Sequence, residues 1–196
     1  MKKLIFLPVF LIIALKAEAQ RPQTLIDNDF GNTSGFGGFM ISIQNIDGSL
    51  SSMTGGGGAV ILDNTFFFGG YGLGLADDKE ITFEDTEFDV DFGHGGFYLG
   101  YVIRPTDLVH FGISSKLGWG EISFREKEPF INQTRINDRV FVVLPQAEVE
   151  VNMTNWFKFN VGVGYQSTIG VDNFYYNERD FDGLAVGISF LFGWFN

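Results

Sequence analysis

Five ionisable side chains sit inside segments whose pattern is otherwise apolar. His110 and Lys116 fall in "VHFGISSKLGWGE" (109–121), Glu148 and Glu150 in "RVFVVLPQAEVEVNM" (139–153), and Lys158 in "FKFNVGVGYQ" (157–166). Each lies on the polar half of a two-residue alternation, opposite Val109, Phe111 and Trp119, or Val149, or Phe157 and Phe159. A lone charge in a narrow interior is costly, whereas a paired and hydrogen-bonded one is tolerated. Aligning residue 122 with about 140 sets Lys116 near Gln146 and diagonal to Glu148, and the turn "TNW" (154–156) sets Glu150 opposite or diagonal to Lys158. The expectation is an internal network of Lys116, Glu148, Glu150 and Lys158, with His110, that plugs and fixes an interior. Eight strands leave little room for an ion pathway.

Catalysis needs a nucleophile and a base in reach of one another. His110 and Ser114 share a face, but four residues of strand separate them by about 13 Å. His94 lies beside an acidic link and within reach of Asp89 or Asp91, the alternative being an enzyme acting at an outer rim. That link, "DDKEITFEDTEFDVDF" (77–92), carries eight acids against Lys79. Asp85, Glu87, Asp89 and Asp91 are its candidates for cation binding or for docking a partner. Oxygen ligands suit Ca²⁺ or Mg²⁺, but EF-hand spacing is missing and no metal site is assigned. "TGGGGA" and "GGYGLG" lack the helix and the Gly-Lys-Ser/Thr ending of a phosphate loop, so no nucleotide or other cofactor is expected.

The elements that position these residues are strands. No helical periodicity of useful length follows residue 20, and alternation with period two recurs. Segments 35–44, 54–63, 66–76 and 95–103 join the strands at 108–122, 139–153, 157–166 and 183–196. In 66–76 the pattern sets Tyr71, Leu73 and Leu75 on the bulky outer face. Short connections (64–65, 104–107, 154–156) alternate with long ones (45–53, 77–94, 123–138, 167–182), and segments of about ten residues cross a bilayer at a tilt. The polar face is mostly Gly, Ser and Ala. A soluble lipocalin-like barrel turns its polar face to water, and such a surface is richer in Lys, Glu, Thr and Arg; the bulky face on a soluble exterior would be an aggregation hazard. The reading is an all-β, eight-stranded antiparallel up-and-down transmembrane β-barrel with a polar lumen.

The chain begins "MKKLIFLPVFLIIALKAEAQ", with a basic start, a short apolar run and the small-x-small pattern Ala17-Glu18-Ala19. This predicts a signal peptide over 1–19, a periplasmic segment over 20–34 and the barrel over 35–196. Cysteine is absent and the formal net charge is -11, which argues against disulfides and against nucleic acid. The 26 glycines and 23 phenylalanines suit one crowded face and one bulky face.

In strand count, loop alternation, signal segment and last strand, the chain resembles the small eight-stranded bacterial outer-membrane β-barrel proteins, such as the transmembrane domain of outer membrane protein A. Gly187, Phe190 and Phe192 fit the C-terminal pattern read by the barrel assembly machinery, while Trp194, Phe195 and Asn196 run past it. The resemblance implies a place in the cell outer membrane among lipid and lipopolysaccharide, both termini periplasmic, and insertion by that machinery. It implies location more strongly than activity. The expected function is non-enzymatic: a structural or interaction role through acidic and aromatic loops, or packing beside a larger envelope complex with a protein partner. The alternatives are the rim enzyme and a narrow pore or small-solute binder.

Overall fold

The structure, a computed structural model, describes residues 33–46, 48–83, 86–126, 135–171 and 178–195. The signal segment and residues 20–32 lie outside the described residues, as does Asp85. The strands are β1 (Thr33–Ile46), β2 (Ser49–Leu62), β3 (Phe66–Leu75), β4 (Lys79–Phe83), β5 (Thr86–Ile103), β6 (Val109–Glu126), β7 (Arg135–Asn152), β8 (Phe157–Ile169) and β9 (Gly183–Trp194), with a 3₁₀ turn at Glu178–Asp180.

Eight of these form a closed antiparallel barrel. β1 pairs with β2, β2 with β3, β3 with β5, each later strand with the next, and β9 returns to β1. β4 is the continuation of β3 after a break at 76–78. β3 pairs with β5 up to Gly93, and β4 takes over from Val90 to Thr86. The acidic link is therefore largely a hairpin built on β5.

Following the register from Gln44 through Ala185, Gly164, Gln146, Ser114, Gly100, Phe67 and Ile61 returns to β1 at Ser34, ten residues displaced. With usual strand rise and spacing, that stagger tilts the strands by about 40°. Val109 and Trp119 are then about 25 Å apart along the barrel axis, the height of an apolar transmembrane band.

Alternation sorts the faces as expected on six strands, and on β2, where the sequence assigns no facing, Met53, Ala59 and Ile61 are buried. Phe111 is 61 % exposed and Leu184 68 %, while Lys116, Glu148 and Lys158 are buried. β3 is the exception: Phe67, Tyr71 and Leu73 point inward, and Phe66 and Phe68 are the exposed aromatics. The expected facing of Tyr71, Leu73 and Leu75 is thus reversed. The reason lies on the neighbouring strands. A Cβ at Gly100 would meet the Phe67 ring at 2.4 Å, and one at Gly118 would meet the Tyr71 hydroxyl at 2.4 Å. Inward glycines on β5 and β6 leave room that β3 fills.

Strands run on into each of the long links, and the connection that differs most from expectation is the one between β1 and β2. Residues 45–53 are not a long loop, because β1 and β2 run on to pair Ile46 with Ser49. Gly48 holds φ 70° there, a left-handed position glycine takes without strain.

Pro145 stands in the middle of β7. The β7–β8 ladder joins Val143 to Ser167 and Gln146 to Gly164 but skips the two positions between. Proline brings no N–H, so the position facing Tyr165 lacks its ladder donor.

Candidate functional site

The interior is layered rather than uniformly polar. The half towards the short turns holds the ionisable groups. The half towards the long connections is filled by Phe92, Ile122, Phe124, Val140, Val142 and Phe181, all buried. Phe92, Phe124 and Phe181 come from stretches read as links in the sequence, whereas Ile122, Val140 and Val142 take the inward parity of strands already read there. Inward apolar residues (Phe88, Val90, Phe92) continue the β5 alternation while Glu87, Asp89 and Asp91 take the outer side.

Glu150 is the centre of the lowest cluster. Its Oε1 accepts from His110 Nε2 at 2.7 Å and from Lys158 Nζ at 2.7 Å. His110 Nδ1 lies 3.1 Å from the Asp107 carbonyl, so both ring nitrogens face oxygen atoms. Lys158 Nζ also lies 4.4 Å from the centre of the Phe195 ring. Phe195 thus continues the inward side of β9 instead of the outward aromatic run. A cavity of about 290 Å³ opens beside this cluster at the short-turn mouth, bordered by Asn64, Thr106, Asn155, Lys158 and Phe195.

Glu148 anchors the next layer. Ser114 Oγ donates to its Oε1 at 2.5 Å and Tyr98 Oη at 3.2 Å, while Asn160 Nδ2 donates to Oε2 at 3.0 Å. Lys116 pairs across the ladder with Leu144, two residues off the expected register, and its Nζ donates to Gln146 Oε1. Among the described residues Lys116 forms no ion pair. It sits 4.7 Å from the centre of the Tyr98 ring, whose hydroxyl serves Glu148, so a tyrosine stands between the two charges. The five residues therefore lie in one lumen as two groups, His110–Glu150–Lys158 and Lys116–Tyr98–Glu148. The contact of Lys116 with Gln146 was expected, whereas Tyr98 and Asn160 were not singled out in the sequence, although their inward parity marks them.

His94 is inside β5, 5 % exposed, with Nδ1 2.9 Å from the Tyr71 hydroxyl and its ring against Phe92. Even-numbered residues of β5 face inward there, so Asp89 and Asp91 are on the opposite face and the expected rim pairing with His94 does not form. Ser114 meets Glu148 and not a histidine.

Glu87, Asp89 and Asp91 alternate along one strand face at about 7 Å spacing. Among the described residues no group of three or more His, Asp or Glu side chains is placed to hold a metal ion. The base of the link is tied down. Asp77 Oδ1 accepts from Ser52 Oγ at 2.7 Å and its other oxygen from the Ser52 amide, and Lys79 Nζ donates to Ser49 Oγ at 2.9 Å and to the Ile46 carbonyl.

Those two Ser52 donors hold the Asp77 carboxyl below the usual carboxylate range. A depressed folded-state pKa gives a tether that is fully present above the ordinary aspartate value of about 4 and is lost as pH falls through the lower folded value. Hydrogen exchange at the Ser52 amide should therefore stay slow from neutral pH down to about 4 and quicken below it, after correction for intrinsic rates. In Asp77→Asn it should be fast throughout. Equal protection in both proteins would dissociate the tether from the carboxylate.

No protein-family model matches the chain, and no curated protein matches it in sequence. Among solved structures it is similar to the N-terminal β-barrel domain of Pseudomonas aeruginosa OprF, at 11 % identity and a TM-score of 0.51, over 83 % of this chain and 98 % of that one. It is also similar to Neisserial surface protein A (NspA), at 10 % identity and a TM-score of 0.51, over 84 % of this chain and 97 % of that one. At these identities the likeness is one of fold: a closed, eight-stranded antiparallel barrel of the outer-membrane kind.

Proposed function

We propose that this chain is an integral outer-membrane protein, a non-enzymatic barrel with a plugged lumen that acts through its surfaces. Its role is structural or one of interaction, through the acidic and aromatic end of the barrel or by packing beside a larger envelope complex. The observation that carries this reading is the inversion of the faces: charges inside, large apolar side chains outside. Phe39, Phe68, Ile113, Val163 and Val186 are all exposed on the outer wall, a surface lipid requires and water penalises. Trp156 stacks on Phe192 at the short-turn end, and Trp119 lies between Phe97 and Phe141 about 25 Å away, at the two levels where aromatic girdles belong.

In this reading residues 1–19 direct export and are removed, and the short turns and both termini face the periplasm. Lipid and lipopolysaccharide surround the wall, and the barrel assembly machinery inserts it. The layered interior argues against a pore, since large apolar side chains fill one half and hydrogen-bonded charges the other. The separation of His94 from Asp89 and Asp91, and of Ser114 from any histidine, argues against hydrolysis.

Fractionation and purification test this directly. The protein should sediment with outer membranes, migrate differently on gels with and without boiling, and show no discrete conductance in a planar bilayer. A stoichiometric partner retained after mild detergent extraction identifies the interaction. Recovery in the soluble fraction without a heat-dependent gel shift overturns the membrane reading. Lipid or peptide hydrolysis that disappears in His94→Ala overturns the non-enzymatic one.

A further inference from the structure

Midway along the interior, four buried polar atoms have no hydrogen-bond partner among the described residues: Ser42 Oγ, Gln44 Oε1, His94 Nε2 and Gln166 Oε1. Their residues are no more than 5 % exposed. Three of them are held in place by their other polar atom. Gln44 Nε2 donates to Met53 Sδ at 3.2 Å, Gln166 Nε2 to the Phe181 carbonyl at 3.2 Å, and His94 Nδ1 meets the Tyr71 hydroxyl at 2.9 Å. Their orphan atoms are therefore fixed in direction by contacts already made.

Their placement in the barrel is the decisive point. Given the ten-residue stagger, each strand step shifts height by about 3 Å and each residue by about 2.5 Å. Gln44 on β1, His94 on β5 and Gln166 on β8 then fall within about 2 Å of one level, with Ser42 about 5 Å below. In a ring of eight strands, β1 and β8 stand two strands apart and β5 three from each, so the three approach the axis from different sides, and side chains at one height converge on it. Ala185 and Gly118 at this level contribute little bulk. Phe92, Val140 and Phe181 close the level above, and Leu144 lies below it.

We propose that this level is a buried water site, in which bound water bridges Gln44 Oε1, Gln166 Oε1 and His94 Nε2, with Ser42 Oγ at its lower edge. The donor and acceptor count fits. When the Tyr71 hydroxyl donates to His94 Nδ1, the proton is on Nε2, and a water accepts that proton and donates its own two to the glutamine oxygens. Three hydrogen bonds are what buried waters ordinarily make. A metal cation fits worse, because every ligand is neutral and the Lys116 ammonium lies on the side below. An apolar guest would leave all four atoms unsatisfied.

The test uses the whole barrel refolded in detergent micelles. In the wild type, magnetisation transfer should link a slowly exchanging water to the His94 Nε2 proton and to the side-chain amides of Gln44 and Gln166. In urea unfolding, Gln44→Met and Gln166→Met should each lower the midpoint, and the double variant should fall no further than the worse single one, because both act on one shared water. Midpoints that rise and add would show a dry interior relieved of unsatisfied atoms and would overturn the site. A wild-type spectrum with no such water contact would overturn it whatever the variants do.

Discussion

Glu150→Ala should be the most damaging single substitution in the lumen. It leaves the His110 ring and the Lys158 ammonium without the carboxylate that both contact at 2.7 Å. Breaking a buried pair costs about 3–5 kcal/mol, because the surviving charge stays desolvated and unpaired. Two donors share this acceptor, so the upper end of that range is expected. The triple replacement His110→Phe, Glu150→Met and Lys158→Met should recover most of the loss, since apolar groups of similar volume often match a buried ion pair. Urea unfolding of the refolded barrel, followed by tryptophan fluorescence, measures both. Wild-type stability in Glu150→Ala would mean that the cluster is hydrated and exerts no hold on the strands.

The second large effect is expected where β3 leans over β5. Phe67 is 4 % exposed, packs 4.8 Å from the Tyr98 ring, and occupies the space that Gly100 leaves. Phe67→Ala should cost about 3–5 kcal/mol through the cavity it opens beneath Tyr98. Gly100→Val should cost about 1–3 kcal/mol by overpacking, since its side chain begins inside the Phe67 ring. The two positions should couple: Gly100→Ala should be milder in a Phe67→Leu background than in the wild type, because the shorter side chain vacates the ring position. Additive effects in that cycle would separate the glycine from the ring and leave the inward turn of β3 unexplained.

The two-residue alternation around Lys116, Glu148 and Lys158 reads the same way in sequence and in structure, because a one-residue slip would put those charges into lipid. β3 was misread for a physical reason. Its two faces are both apolar or glycine, so alternation alone assigns no inside, and the deciding glycines at 100 and 118 lie on other strands. Much the same holds for the upper lumen. Phe92 and Phe124 face inward from strand extensions read as links, and an apolar residue there looks alike whether it meets a core or a membrane. The pairing of Lys116 with Glu148 depended on a register two residues from the true one, and the ring of Tyr98 between them belongs to a different strand. Phe195 looked like an overrun of an outward aromatic pattern. Counting parity from Leu191 instead places it under the lumen, against Lys158.

The gap at Pro145 bears on how the barrel comes apart and goes together. Apart from the step from β3 to β4 along β5, the other seams of the ring are unbroken ladders, whereas β7 and β8 have a missing tooth near mid-height. Pulled from its C-terminal end in a single-molecule force experiment, the molecule should release β8 and β9 together as one hairpin, with the rupture stopping at this seam. Pro145→Val restores the absent donor and should raise that rupture force or merge it with the next. In the reverse direction, the same seam makes the last hairpin a separate piece that can dock onto strands already assembled.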